Sequence, residues 1–255
     1  MVREVPGEAS LAGKRILVTG ASSGIGAETA LHIAAHGGVV GVHYHRHGDA
    51  AESIVARIRR SGGVAVALCA DLLDRDSTRG LVARSVEALG GLDGLVNNAG
   101  GILPPRHLAD IEDADWDRTF ELNAHAPFVL AQGAFAHMLG HGGGRIVNIS
   151  SIGVKFGGSG TSLHYSAAKA ALEAVTLGLG KAGAPHGILV NAVRPGVIAT
   201  PFHANTPHDA LERRIALIPL KRAGTPEDVA SLIVYLLSPA AAFITGQVLA
   251  VSGGE

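Results

Sequence analysis

A chain of 255 residues, 47% hydrophobic and 17% charged, is long enough to bury a large core. Its formal net charge of -1 excludes a bulk electrostatic pull toward nucleic acid or a membrane surface. The single cysteine, Cys69, excludes an internal disulfide and fits a reducing compartment.

Residues 1–12 read as a loose tail without the apolar stretch of a secretory signal, so a cytoplasmic protein is expected. Residues 14–19 are a short apolar run rich in β-branched side chains, the pattern of a buried strand. Gly20-Ala21-Ser22-Ser23-Gly24-Ile25-Gly26 follows, and 27–35 reads as a helix ended near Gly37-Gly38. The alternation continues with strand 39–44, helix 50–60, strand 64–69, helix 78–89 and strand 92–96. Cys69 is expected to be buried in the third of these strands. Residues 114–139 read as one long or broken helix. Strand 145–149, helix 164–181, strand 188–193, helix 226–237 and strand 247–251 complete the chain. No run approaches the roughly 18 apolar residues of a membrane span. Continuous apolar strands alternating with helices predict a parallel sheet of about seven strands covered on both faces. The expected architecture is a single α/β doubly wound domain over residues 13–255, with right-handed crossovers.

Two stretches carry chemistry. The glycine loop after the first strand lies where a doubly wound sheet binds a dinucleotide. Its glycines let backbone approach a pyrophosphate, and the following helix presents free N–H groups to it. Further on, Tyr165 and Lys169 stand four apart at the start of a good helix sequence, which places both on one face. A free tyrosine has a pKa of about 10, and a nearby cation favours the phenolate. So tuned, a phenol can pass a proton to or from an alcohol or ketone oxygen. By itself the pair equally fits a surface helix with a snorkelling lysine.

The chain as a whole resembles the single-domain short-chain dehydrogenases/reductases. The resemblance rests on Thr19-Gly20-Ala21-Ser22-Ser23-Gly24-Ile25-Gly26, Ala70-Asp71-Leu72, Asn97-Asn98-Ala99-Gly100, Asn123, Ser150-Ser151, Tyr165-x3-Lys169, Arg194-Pro195-Gly196 with Thr200, and Ile244-Thr245-Gly246-Gln247. These pieces fall in the family's order across residues 10–254, in a pattern close to bacterial 3-oxoacyl-carrier-protein reductases and to sugar or alcohol dehydrogenases. The resemblance implies a Rossmann fold and hydride transfer at a carbonyl or secondary alcohol. It makes Tyr165 the general acid/base and Lys169 the group that lowers its pKa and holds the nicotinamide ribose. Ser151, rather than its neighbour Ser150, would hydrogen-bond the substrate oxygen. Asn123 would position a water in the proton relay behind Lys169, and no metal is needed. Gly20, Ser22, Ser23, Gly24, Ile25 and Gly26 would hold the pyrophosphate. Asp71, beside Leu72, would bind the adenine, with Asn97, Ala99 and Gly100 under its ribose. Pro195, Gly196, Val197, Ile198 and Thr200 would grip the nicotinamide carboxamide. Asn97-Asn98 could instead brace strands, and Pro195-Gly196 could be a plain turn.

NAD sites usually carry an acid about 20 residues past the glycines. Tyr44 stands there instead, followed by His45 and Arg46, so NADP(H) is the expected cofactor with NAD(H) possible. Ser23 counts against this, because NADP-preferring relatives often carry a basic residue there. His43, His45 and His47 alternate, and are expected to be solvated or cofactor-edge histidines rather than metal ligands. Ser151 and Tyr165 lie 165 − 151 = 14 positions apart, one more than in close relatives, so a bulge is expected in the loop between them. The substrate loop is expected at about 196–218, mixed in character and without a cluster suited to a charged substrate. A 3-oxoacyl thioester, a small ketone, a sugar or a cyclic alcohol remain open as small-molecule substrates. A non-catalytic nucleotide sensor on the same fold is the reading from another class. A homotetramer or homodimer is implied by resemblance, with the apolar helix 170–179 as its packing face.

Overall fold

The computed structural model describes residues 10–204 and 206–255, so residues 1–9 of the expected tail lie outside it. β1 (Arg15–Val18), α1 (Gly24–Ala35), β2 (Val39–Tyr44), α2 (Gly48–Arg60), β3 (Val64–Cys69), α3 (Arg75–Leu89) and β4 (Gly94–Asn97) alternate without exception. α4 (Asp113–Phe120) and α5 (Ala126–Leu139) follow, with a π-helical turn, Glu121–His125, between them. β5 (Gly144–Ile149), a short α6 (Gly153–Phe156), the long α7 (Leu163–Gly183), β6 (Ile188–Pro195), α8 (His208–Leu217), α9 (Pro226–Leu237) and β7 (Val248–Val251) complete the order.

The strands form one seven-stranded sheet in the order β3-β2-β1-β4-β5-β6-β7. Every pairing is parallel, with Leu17 opposite Gly41 on one side and Leu95 on the other. Successive side chains leave a strand on opposite faces, so each central strand feeds two cores. Ile16 and Val18 join Ile33, Val55 and Ile233 on one face. Leu17 joins Leu81, Leu130, Met138 and Ile146 on the other. Helices therefore cover both faces, as the unbroken apolar strands require. Chain order runs outward from β1 in one direction and from β4 in the other. The crevice at that reversal, beyond the carboxyl ends of the strands, is where such sheets bind ligands.

Two expectations change, and of the two readings left open for 114–139 the broken helix is the one found. Leu11 is fully buried and its N–H bonds the His36 carbonyl at 2.9 Å, so the domain begins before residue 13. Cys69 is exposed rather than buried, because β3 is an edge strand whose one partner among the described residues is β2, so that side of the strand stays uncovered. The helix over 114–139 is broken, and Pro127 supplies a reason. Lacking an N–H, it cannot bond the carbonyl four residues back, at Asn123, and its ring crowds that carbonyl.

Candidate active site

The crevice is assembled at the carboxyl ends of six strands, β1 to β6. Gly20, at φ +62°, turns the chain out of β1, and a Cβ there would lie 2.9 Å from Ala99 Cα. A Cβ on Gly26 would collide with the Gly20 carbonyl and Asn98 side chain, so only glycine lets α1 start this close to the sheet. The N-cap residue of α1, the exposed Ser23, makes no side-chain cap hydrogen bond. Beyond β2, Tyr44 packs its ring against Gly48, while His45 and Arg46 are exposed. His45 Nε2 stands 3.6 Å from Asp71 Oδ2, which draws the two expected adenosine-side residues together. Leu72, by contrast, is buried in the core. The glycine cradle, the helix start without a side-chain cap and the acid-free β2 terminus fit a dinucleotide.

His43 departs from expectation. It is 2% exposed, not solvated, and its Nδ1 accepts the Gly20 N–H at 3.0 Å. Its Nε2 bonds the Ala70 carbonyl at 3.2 Å, and its own carbonyl takes the Ala21 N–H at 2.8 Å. Only the neutral Nε2–H tautomer serves both ring contacts. Burial pushes its pKa down to about 4. The ring thus ties the pyrophosphate loop to the segment carrying Asp71. Among the described residues no cluster of His, Cys, Asp and Glu is placed to hold a metal.

On the other side of the reversal, Tyr165 and Lys169 share the inward face of α7 and are both buried. Lys169 Nζ donates to the Ile149 carbonyl at 2.8 Å and lies 5.8 Å from the Tyr165 ring centre. Burial pushes the phenol up to about 12, opposed by a hydrogen bond with Ser151. Burial also pushes Lys169 down to about 8. The expected lowering of the tyrosine by the lysine is therefore not what this arrangement gives. Desolvation of the phenol outweighs a cation that is bonded to the Ile149 carbonyl.

The two serines separate cleanly. Ser150 is buried and donates to Glu173 Oε1 at 2.6 Å. Ser151 is half-buried and faces Tyr165, with the Gly153 N–H donating to its oxygen at 3.1 Å. Asn123, fully buried in the π turn, exchanges side-chain bonds with Gly101 N and O at 3.0 and 2.8 Å. A Cβ on Gly100 would stand 2.7 Å from Asn123 Oδ1 and 3.0 Å from Lys169 Nζ, so these three residues meet at one point.

Asn97 points away from the crevice. Its Nδ2 donates to Asn148 Oδ1 at 2.9 Å, and Asn148 donates to Thr176 of α7 at 2.8 Å. Asn98 donates to the Thr19 and Gly20 carbonyls at 2.8 and 3.1 Å. Both side chains brace strands, leaving Ala99 and Gly100 to line the crevice. Thr19, absent from the expected set, accepts from the Asn98 and Ala99 N–H groups at 2.9 and 3.0 Å. Its hydroxyl just before the first glycine was the signal available in the sequence.

Pro195 and Gly196 continue β6, and Gly196 N–H bonds the Val251 carbonyl at 2.9 Å, so this segment is a strand end rather than a plain turn. Val197, Ile198 and Thr200 then pass beneath α8, lining a cavity of about 450 Å³ with Leu211 and Ile215. Phe202 stands 6.0 Å from the Tyr165 ring, centre to centre. Asn205, within the expected substrate loop, lies outside the described residues. Instead of a simple bulge, the Ser151–Tyr165 loop forms the helical turn α6, closed by Gly157 and Gly158 at φ +73° and +89°. The expected substrate loop at about 196–218 holds α8, which carries an Arg213–Asp209 pair at 2.8 Å.

Known proteins match this chain over almost its full length. A family model described as Enoyl-(Acyl carrier protein) reductase matches residues 20–255. An L-rhamnose 1-dehydrogenase (NAD(P)(+)) of Sphingomonas sp. (strain SKA58) is 39% identical over 96% of this chain and 96% of its own. A 3-oxoacyl-[acyl-carrier-protein] reductase of Synechocystis sp. (strain ATCC 27184 / PCC 6803 / Kazusa) is 40% identical over 93% of this chain and 95% of its own. A short chain dehydrogenase from Burkholderia cenocepacia J2315, solved in complex with NADP, superimposes with a TM-score of 0.88. It is 39% identical, over 96% of this chain and 98% of that one. Likeness of this extent, on the same sheet and helices, makes the chain a member of the short-chain dehydrogenase/reductase family, an oxidoreductase of alcohol and ketone groups.

Proposed function

We propose that this protein is an NADP(H)-dependent reductase of an apolar ketone or 3-oxoacyl-thioester-like substrate, with Tyr165 as the proton donor. The observation that carries the reading is the buried Tyr165 phenol facing Ser151 beside Lys169, across the crevice from the glycine loop. When bound there, the nicotinamide supplies the hydride that reduces the carbonyl carbon. Ser151 donates a hydrogen bond to the carbonyl oxygen as negative charge develops on it. Tyr165 gives its proton to that oxygen, forming the alcohol. Lys169 returns a proton to the tyrosine and in turn draws on the relay beside Asn123. Val197, Ile198 and Thr200 hold the carboxamide end, and Gly20 to Gly26 the pyrophosphate.

The protonation state of the phenol suits the reducing direction. A phenol pushed up to about 12 is protonated throughout the physiological range, so it starts as an acid. Reduction uses that form directly, whereas alcohol oxidation needs the phenolate. The absence of an acid at Tyr44, His45 and Arg46 favours NADP(H), though NAD(H) binds the same cradle. The Burkholderia relative carries NADP and the Sphingomonas one is named for either cofactor. Phe202 over Tyr165, and exposed Phe156 on the facing loop, favour an apolar substrate. The L-rhamnose relative supports a second reading, an NAD(P)-dependent sugar or cyclic alcohol dehydrogenase. We also infer assembly into a homotetramer or homodimer through the outer face of α7.

The test mixes purified protein with an acetoacetyl thioester and NADPH or NADH, alongside Tyr165→Phe. NADPH oxidation, faster than NADH oxidation and reduced about 10³-fold in the variant, is the expected result. Turnover of L-rhamnose with NADP⁺, and none of the thioester, would replace it with the sugar reading.

A further inference from the structure

Glu173 is a buried carboxylate that the reaction above does not use. It stands eight residues after Tyr165 and four after Lys169, so the three lie on one stripe of α7. All three are buried. Ser150 Oγ donates to Glu173 Oε1 at 2.6 Å. Arg194 donates to the same carboxylate twice, Nε to Oε1 at 2.9 Å and Nη2 to Oε2 at 2.6 Å. This forked pairing is the strong and geometrically selective form of the contact.

The two partners sit next to the reacting parts. Ser150 precedes Ser151, and backbone bonds from Ser150 N to Val193 O and from Ile152 N to Pro195 O, at 2.7 and 2.8 Å, flank Ser151. Arg194 precedes Pro195 and Gly196, which begin the segment expected to hold the nicotinamide. Three parts of the site, the Tyr165–Lys169 stripe, the Ser151 turn and the 195–200 strap, are therefore linked through one side chain.

We propose that Glu173 is a positioning residue that fixes the Tyr165–Lys169 face of α7 in register with Ser151 and with the strap for the nicotinamide end of the cofactor. It touches neither substrate nor cofactor. Its energy goes into preorganisation, where a displacement near 1 Å costs about 10² in rate. A neutral Glu173 would keep one bond to Ser150 but lose the charge that draws the Arg194 fork. The inference rests on the function proposed above for its catalytic arm, and its binding arm is independent of turnover.

The experiment compares wild type with Glu173→Gln, Arg194→Lys and the double variant. Dissociation constants are measured for NADPH and its adenosine fragment 2′,5′-ADP, and for NADH and AMP, with kcat on a ketone as the second readout. Each single variant is expected to weaken the preferred dinucleotide about tenfold, about the loss of one charge-assisted contact. Its adenosine fragment should bind within about twofold of wild type, because the adenine half stands on other strands. kcat should fall about 10²-fold, and the double variant should be no worse than either single one. The pH at which kcat changes should not move, since Glu173 carries no proton in the reaction. A dinucleotide affinity and kcat both within about twofold of wild type would overturn the proposal. So would equal weakening of dinucleotide and fragment, which marks general loosening. If the fragment split holds but wild type reduces no ketone, the positioning role stands and the reductase reading falls. Binding of neither dinucleotide by wild type overturns both.

Discussion

Single side chains in this protein are set by what burial does to charge. His43 is held neutral between Gly20 N–H and the Ala70 carbonyl, and protonation would turn its Nδ1 from acceptor to donor against another donor. The charged groups facing it, His45 on its own strand end and Arg84 of α3, oppose a further positive charge. Its folded pKa of about 4 lies below the ordinary histidine value of about 6.5. The unfolded chain therefore binds more protons than the folded one across that window, and stability falls as pH drops through it. Integrated, the shift amounts to about 3 kcal/mol. Denaturant melts of wild type should lose stability from near neutrality down to about pH 4, while His43→Asn should show a shallower decline. Parallel curves would mean that other groups carry the acid sensitivity. Lys169 adds a second dependence with its own sign. Its pKa of about 8 means that its charge is present below that pH and lost above it. The reduction rate should then decline as pH rises past about 8, well before Tyr165 titrates.

Elements were legible in proportion to how strongly their pattern is locked by the sheet. β2 and α9 have the bounds read from apolar runs and turn residues, because continuous burial or a capping box leaves little freedom there, and β3 has them too although Ala65 is its one buried residue. α8 was not legible: its charges and alanines give no clear apolar stripe, and none of its residues is buried. The π turn was half legible, since Pro127 marks a break without saying which hydrogen-bond pattern fills it. The proposed catalytic set, Asn123, Ser151, Tyr165 and Lys169, came from motif order rather than periodicity, and Tyr165 neighbours Ser151 while Asn123 and Lys169 both border Gly100. The assignments that shifted, Asn97 and His43, are polar residues on strands whose roles depend on long-range partners. Gly100 tests how tightly the elements converge. Its added methyl would be wedged between Asn123, fixed in the π turn, and Lys169, fixed on α7. Neither is a flexible chain end free to yield. Gly100→Ala is expected to cost about 1–3 kcal/mol in a denaturant melt and to lower kcat by at least tenfold. An unchanged melt and rate would mean that the π turn gives way easily.

At the scale of the molecule, the near-neutral charge leaves association to shape and apolar surface rather than to long-range fields. Among the described residues no helix is long and apolar enough to cross a membrane. The outer face of α7 is the place where this argument can be tested. Its inner stripe is consumed by Tyr165, Lys169, Leu172, Glu173 and Thr176, all buried. Opposite them, Ala170, Ala174, Leu177 and Gly178 are exposed, with Leu177 at 44%. The stripe read from sequence as a packing face is thus two faces, one core and one outward. Small residues there let a second helix approach closely, and an exposed leucine among them gives apolar area to bury. A helix meeting its own copy across a two-fold axis repeats every contact, so one added charge appears twice in the interface. Light scattering on wild type should give the mass of a tetramer or dimer. Ala174→Arg should reduce that mass while leaving the sheet intact by circular dichroism, because the side chain faces outward. A monomeric wild type would remove the assembly, and an unchanged mass in the variant would move the interface to another surface, with exposed Phe128 of α5 the next to alter.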